Sequence, residues 1–290
     1  MFEGFTHHRI DASQGTTINL LVGGSGPPLL LLHGCPQTLV MWHKIAPALA
    51  EEFTVIAADL RGYGDSSKPR GEADHANYSF RAMAQDQVDA MGALGHECFM
   101  VAGHDRGARV VHRMSLDHPA TVRKAAVLDI LPTLTLYDEA NAQFAAAYWE
   151  WFFFTQSYDF PETLLAAAPE AFLRYELGPL LSSGVVTEEA WSEYLRCISD
   201  PSAIHGMCED YRAGASIDLR HDRADLNRRI ACPLLVLWGE KNPIWERFDM
   251  LSIWRQHAQT VTGEGLSSGH YLAEEVPDAT VTRLRAFLTE

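Results

Sequence analysis

Basic residues are scarce in this chain. Its 23 lysines and arginines face 38 aspartates and glutamates, a formal net charge of −15. The cations are scattered rather than gathered into a stripe, which argues against a nucleic-acid-binding face. Cysteine is sparse as well. Cys35, Cys98, Cys197, Cys208 and Cys232 form no Cys-x-x-Cys pair and no metal-ligand spacing. An odd, dispersed set of this kind reads as free thiols in a reducing compartment, not as a disulfide framework or a zinc site. Long hydrophobic runs are missing: the apolar stretch Leu29–Leu32 is far short of the ~20 residues of a membrane span. The N-terminal residues MFEGFTHHRIDASQG lack the apolar core of a signal peptide, so a cytoplasmic location is expected. Apolar residues overall are plentiful, at 47% of 290, enough for a large core.

The most informative stretch is Gly103-His104-Asp105-Arg106-Gly107. Its glycines have the spacing of a nucleophile elbow, the tight strand-to-helix turn that lifts one side chain above a sheet. The central residue is Asp where an esterase carries Ser. A serine alkylated at saturated carbon becomes an ether that water does not readily cleave. An aspartate alkylated there becomes an ester whose carbonyl a second water can attack. Asp105 therefore points to substrates attacked at saturated carbon, such as alkyl halides or epoxides.

Short apolar runs alternate with helical patterns along the first half of the chain. Residues 5–22 suggest two short strands joined by a turn near Ser13-Gln14-Gly15. Strands are expected at Leu29–Leu32, Val55–Ala58, Cys98–Ala102, Ala125–Leu128 and Pro233–Trp238. Helices are expected over 40–51, 79–94, 106–118 and 278–289, with Met83, Val88, Met91 and Leu94 facing inward. This alternation implies an α/β fold, a mostly parallel sheet with helices on both faces. The rhythm stops after Pro132 and returns near Ile230. A core of 1–132 and 231–290 with a helical cap of 133–230 is expected, the cap lying over the carboxyl ends of the strands.

An elbow nucleophile needs a base and a group to orient it. His270 lies in the loop Ser267-Ser268-Gly269-His270 before the last helix, and the order nucleophile, acid, histidine fits the elbow hydrolases. The other histidines, His104 included, read as structural or surface residues. Asp129, after its strand, is the expected acid. Glu240 is the alternative, since Asn242, in the later loop, cannot carry the charge. Backbone N–H groups of Cys35 and Arg106 would form the oxyanion hole. Arg106 and Arg109, at i and i+3 of one helix, suggest bidentate binding of a substrate carboxylate.

Five motifs together resemble the haloacetate dehalogenases, including the fluoroacetate dehalogenases, of the α/β-hydrolase fold. They are His33-Gly34-x-Pro36-Gln37, Asp59-Leu60-Arg61-Gly62-Tyr63-Gly64-Asp65-Ser66, Gly103 to Arg109, Asp129-Ile130-Leu131-Pro132-Thr133 and Cys208-x-Asp210-Tyr211-Arg212-Ala213. The resemblance implies that Asp105 displaces halide from the α-carbon while Arg106 and Arg109 hold the carboxylate. Water activated by His270 and Asp129 would then free a 2-hydroxy acid. The implied partners are a small anionic substrate and a halide product, with a homodimer among the expected assemblies, no membrane or nucleic acid, and neither metal nor organic cofactor. Trp151 and Tyr211 align with the family's halide-binding Trp and Tyr. Glu150 stands where the family has His; ionised, it would repel a departing halide, and protonated it could donate. Turning away to the surface is its bland alternative. Chloro- or bromoacetate is accordingly expected ahead of fluoroacetate. An epoxide hydrolase is the rival reading, and a non-catalytic ligand receptor a more distant one.

Overall fold

The computed structural model describes all residues 1–290. Eight strands form one sheet: β1 (Thr6–Asp11), β2 (Thr17–Gly23), β3 (Pro28–Leu32), β4 (Thr54–Ala58), β5 (Phe99–His104), β6 (Val122–Leu128), β7 (Leu234–Gly239) and β8 (Val261–Leu266). Their order across the sheet is β1-β2-β4-β3-β5-β6-β7-β8. β2 runs antiparallel to both of its neighbours, and every pairing from β4 to β8 is parallel. The apolar run in β3 is buried throughout from Leu29 to Leu32, as is all of β5, which is why these strands show no alternation.

Helices α1 (Ala46–Leu49), α2 (Phe80–Ala93) and α3 (Arg106–Asp117) connect the early strands. Ser79 caps α2 by accepting from the Ala82 N–H, and the inward Met83 and Met91 are fully buried. The helix expected over 40–51 is instead a 3-10 turn, Leu39–Trp42, followed by the short α1. Pro47 is the reason. It has no N–H to give, its ring would clash with the preceding turn, and so it sits in the first turn of a new helix.

Eight helices lie between β6 and β7: α4 (Thr133–Asp138), α5 (Ala142–Ala147), α6 (Glu150–Phe153), α7 (Phe160–Ala167), α8 (Pro169–Ser182), α9 (Glu188–Ile198), α10 (Pro201–Gly214) and α11 (Ile217–Ala224). The chain closes with α12 (Met250–His257), α13 (Leu272–Glu275) and α14 (Pro277–Thr289). No helix is long and apolar enough to cross a membrane.

Register brings the site together. Leu32 pairs with Gly103, His104 with Leu128, and Leu128 with Leu237, so β3, β5, β6 and β7 finish side by side. The loops after these strands share one edge of the sheet, where open parallel sheets bind ligands. The elbow fits there only because its flanks are glycine. A Cβ on Gly107 would lie 2.4 Å from the carbonyl oxygens of Leu32 and His33, and one on Gly103 would lie 2.6 Å from the Gly107 carbonyl. Gly107→Ala should therefore lower stability by about 1–3 kcal/mol, the usual range for overpacking, as measured by chemical denaturation. An unchanged midpoint would show that the elbow has slack.

Candidate active site

Asp105 alone makes the turn from β5 to α3, at φ 47° and ψ −115°. That backbone is unusual for a non-glycine residue and typical of functional turns. It aims the carboxylate at the loop after β3, where the Cys35 N–H donates to Asp105 Oδ1 at 3.0 Å. The Arg106 N–H, first in its helix, has no acceptor within that helix. One backbone donor thus holds the carboxylate, and a second stands unpaired at the start of the adjoining helix. The β3 loop is itself fixed. His33 Nδ1 donates to the Gly34 carbonyl at 2.9 Å, and Nε2 accepts from the Leu60 N–H at 3.1 Å.

Asp129 stands at the end of β6, and its carboxylate collects four donors. Oδ1 accepts from the Gly239 N–H and from Trp245 Nε1, each at 2.7 Å. Oδ2 accepts from Asn242 Nδ2 at 3.2 Å and lies 2.5 Å from His270 Nδ1. His270 therefore turns its other nitrogen, Nε2, away from Asp129. Burial alone would depress the His270 pKa. The Asp129 hydrogen bond and charge outweigh it, and with Asp105 and Glu150 they raise it to about 9. Glu240 is exposed and plays no part in this cluster. His104 is a buried neighbour whose Nε2 donates to the His270 carbonyl at 2.7 Å. Burial and the His270 charge lower it to about 4, so it stays neutral and braces the loop.

The two guanidiniums occur where the sequence places them, but not free. Arg106 Nε and Nη2 bind the Asp210 carboxylate at 2.8 and 2.6 Å, and Nη2 also donates to the Asp210 carbonyl at 2.9 Å. Bidentate capture of a second carboxylate by Arg106 is thereby excluded, because only Nη1 remains. Arg109 Nη1 donates to the Leu131 carbonyl and Thr133 Oγ1, while its buried Nε has no partner. Their charge still reaches the nucleophile. Burial would raise the Asp105 carboxyl, yet His270, Arg109 and Arg106 together hold it below the ordinary value.

A cavity of about 320 Å³ opens above Asp105. Cys35, His270 and Tyr271 line it from the sheet side; Tyr148, Glu150, Trp151, Glu176 and Tyr211 line it from the helical insertion. Cys35 is a bystander as a thiol, since burial keeps its pKa well above the ordinary value. Glu150 does face the cavity and does not turn to the surface. Burial first, then Glu176 and Asp105, push its carboxyl up to about 8, so at neutral pH it carries a proton. Two lining residues were not singled out from the sequence. The Tyr148 hydroxyl accepts from Asn242 Nδ2 at 2.8 Å, which leaves its own proton free. Glu176, on α8, is raised to about 7 by burial. Only the order of elements could have pointed to either, since neither carries a motif.

One cluster has the spacing of metal ligands: Glu162, His205 and Glu209, whose ligand atoms lie within 4.8 Å of one another. Arg212 occupies it, with Nη1 at 2.5 Å from Glu162 and 2.8 Å from Glu209. A cation there already satisfies both acids.

Comparison with known proteins gives the family. Residues 27–273 match the alpha/beta hydrolase fold family. A fluoroacetate dehalogenase of Burkholderia sp is 48% identical over 100% of this chain and 96% of its own length. A soluble epoxide hydrolase of Corynebacterium sp. (strain C12) is 33% identical, with 97% of each chain covered. An α/β hydrolase of known structure from Nostoc sp PCC 7120 superposes over the full length of both chains with a TM-score of 0.97, at 52% identity. The chain belongs to the α/β-hydrolase fold family, and within it to the haloacetate dehalogenases.

The raised His270 pKa gives a direct test of the electrostatics. Removing the Asp105 charge with Asp105→Asn should move the His270 titration, followed by imidazole NMR, below about 9. An unmoved titration would mean the two groups do not sense one another.

Proposed function

We propose that the protein is a hydrolytic dehalogenase of short 2-haloacids, turning haloacetate and water into a 2-hydroxy acid and halide. The observation that carries this reading is a carboxylate at the elbow, held by the Cys35 N–H and backed by two guanidiniums. An anionic substrate approaching Asp105 would be repelled by ~4 kcal/mol for charges about 4 Å apart at an effective dielectric near 20. Arg106 and Arg109 offset that repulsion, Arg106 through its remaining Nη1 and Arg109 through its unpartnered Nε.

In the first step one Asp105 oxygen bonds to the α-carbon, and the carbon–halogen electron pair leaves with the halide. Trp151, Tyr211 and the protonated Glu150 supply donors to it. In the second step His270 Nε2 takes a proton from water, and the hydroxide adds to the Asp105 ester carbonyl. Asp129 holds the imidazole and stabilises its charge. The N–H groups of Cys35 and Arg106 stabilise the oxyanion, which collapses by breaking the ester C–O bond, and the His270 imidazolium returns its proton to the departing alkoxide to release the 2-hydroxy acid. The insertion, residues 133–230, acts as a cap that keeps bulk water out of the cavity. Chloro- and bromoacetate come ahead of fluoroacetate, because fluoride depends most on donors and the Glu150 proton is present only below about pH 8. The family resemblance extends this reading to a cytoplasmic homodimer.

One observation favours the epoxide reading. Tyr148 and Tyr211 both line the cavity, and two tyrosines can protonate an opening alkoxide. The guanidiniums weigh against it, since a neutral epoxide has no carboxylate to bind. Halide release measured beside diol formation from a terminal epoxide separates the two.

Asp105→Asn should abolish halide release, and His270→Asn should accumulate a covalent ester seen as added mass on the intact protein. Normal turnover in Asp105→Asn would remove the nucleophile assignment. The pH response follows from the Glu150 shift. A carboxyl raised to about 8 is a donor below that pH and loses its proton above it. The single-turnover halide burst from fluoroacetate should therefore fall as pH rises through about 8, and Glu150→Gln should remove that fall. The same decline in Glu150→Gln would assign it to another group.

A further inference from the structure

The cavity is larger than the smallest substrate of the proposed reaction requires. Haloacetate has about five heavy atoms, which fill roughly 150 Å³ even at the ~30 Å³ a water takes in the liquid. The cavity offers about 320 Å³. The surplus belongs to whatever else the α-carbon carries. The substrate's other parts already have counterparts: the guanidiniums for its carboxylate, Trp151, Tyr211 and Glu150 for the halogen, and Asp105 for the carbon.

The Glu176 carboxyl in the lining has no such use. Glu176 lines the cavity from α8, one helical turn beyond Phe172, which lines it too. Its Oε1 is buried and has no hydrogen-bond partner. A buried carboxyl oxygen without a partner is costly, and a ligand that supplies one recovers that cost on binding. Glu176 is also close enough to His270 and Asp105 for their charges to act on it, so an occupant it binds lies beside the reacting groups.

Resting on the dehalogenase reading, we propose that Glu176 is a specificity-determining residue that binds the α-substituent of a 2-haloacid longer than haloacetate, and that a substituent ending in a primary amide is favoured. An amide suits a carboxyl in either protonation state. Its NH2 donates to the carboxylate, and its carbonyl accepts from the acid. This matters because Glu176 sits at about 7, with both forms present near neutrality. A second substrate carboxylate would instead meet the Asp105 charge and the ionised fraction of Glu176, and is disfavoured. An apolar ending would fit the volume but leave Oε1 unpartnered.

The test compares three substrates: chloroacetate, 2-chlorosuccinamate, and its apolar isostere 2-chloro-4-methylpentanoate. For each enzyme, kcat/KM for the two longer acids is divided by that enzyme's own value for chloroacetate. The wild-type protein should prefer the amide to the isostere by about tenfold or more, since a site that hydrogen-bonds a group discriminates strongly against the analogue lacking it. Glu176→Leu should abolish or invert that preference, chiefly through KM, and Glu176→Gln, which keeps an acceptor oxygen, should retain part of it. No preference in the wild type, or one left intact by Glu176→Leu, overturns the inference while chloroacetate turnover leaves the dehalogenase reading standing. Absence of chloroacetate turnover in the wild type fails that reading itself, and this inference with it.

Discussion

The main chain at Asp105 is the constraint on which the remainder of the structure depends. At φ 47° and ψ −115° it costs on the order of 1–3 kcal/mol and is tolerated only because its surroundings fix it. Gly103 and Gly107 let strand, turn and helix close on one another, and Gly34 has no Cβ to strike Asp105, which one there would approach to 2.5 Å. The same turn that exposes the carboxylate brings the Cys35 N–H onto its oxygen. Position and stabilisation thus come from one backbone feature.

The second theme is how so acidic a chain keeps positive charge at its centre. Arg106 and Asp210 are both buried and joined by two short hydrogen bonds, and Tyr63 donates its hydroxyl to Asp210 at 2.7 Å. Such a pair adds little net stability, but losing one partner would strand the other in a dry interior. Because Arg106 begins α3 and Asp210 lies in α10, the bond ties the elbow to the helical insertion. Arg106 and Arg109 also lie against cavity-lining rings. The Arg106 guanidinium carbon is 4.2 Å from the Tyr211 ring centre, and that of Arg109 is 4.5 Å from Trp151's. Opposite them Glu150 and Glu176 are raised by burial and can hold protons at neutral pH, which limits the negative charge of the cavity.

Much of the sheet was legible in the sequence because a strand buried on both faces needs an unbroken apolar run, as in β3 and β5. The elbow was legible because close packing there admits only glycine. β8 was not, since Gly263 and Gly265 weaken its pattern and it lies at the sheet edge with alternate residues exposed. The helix expected over 40–51 failed at Pro47. Asp129 could be picked out, but Asn242's part could not. Asn242 lacks the charge of an acid, yet it donates to Asp129 and to Tyr148, a role visible only once the two loops meet. The pairing of Arg106 with Asp210 was hidden for the same reason, the partners being 104 positions apart. Glu176 lies in α8 with no motif around it, so nothing local marks it.

A single turnover in heavy-oxygen water tests the central claim most directly, with enzyme in excess over chloroacetate. If the Asp105 carboxylate forms the bond to carbon, the glycolate released takes its new oxygen from that side chain, and the label appears in Asp105 on peptide mass analysis. Label in the glycolate and none in Asp105 would mean that water attacks the carbon itself, and a carboxylate nucleophile would be contradicted.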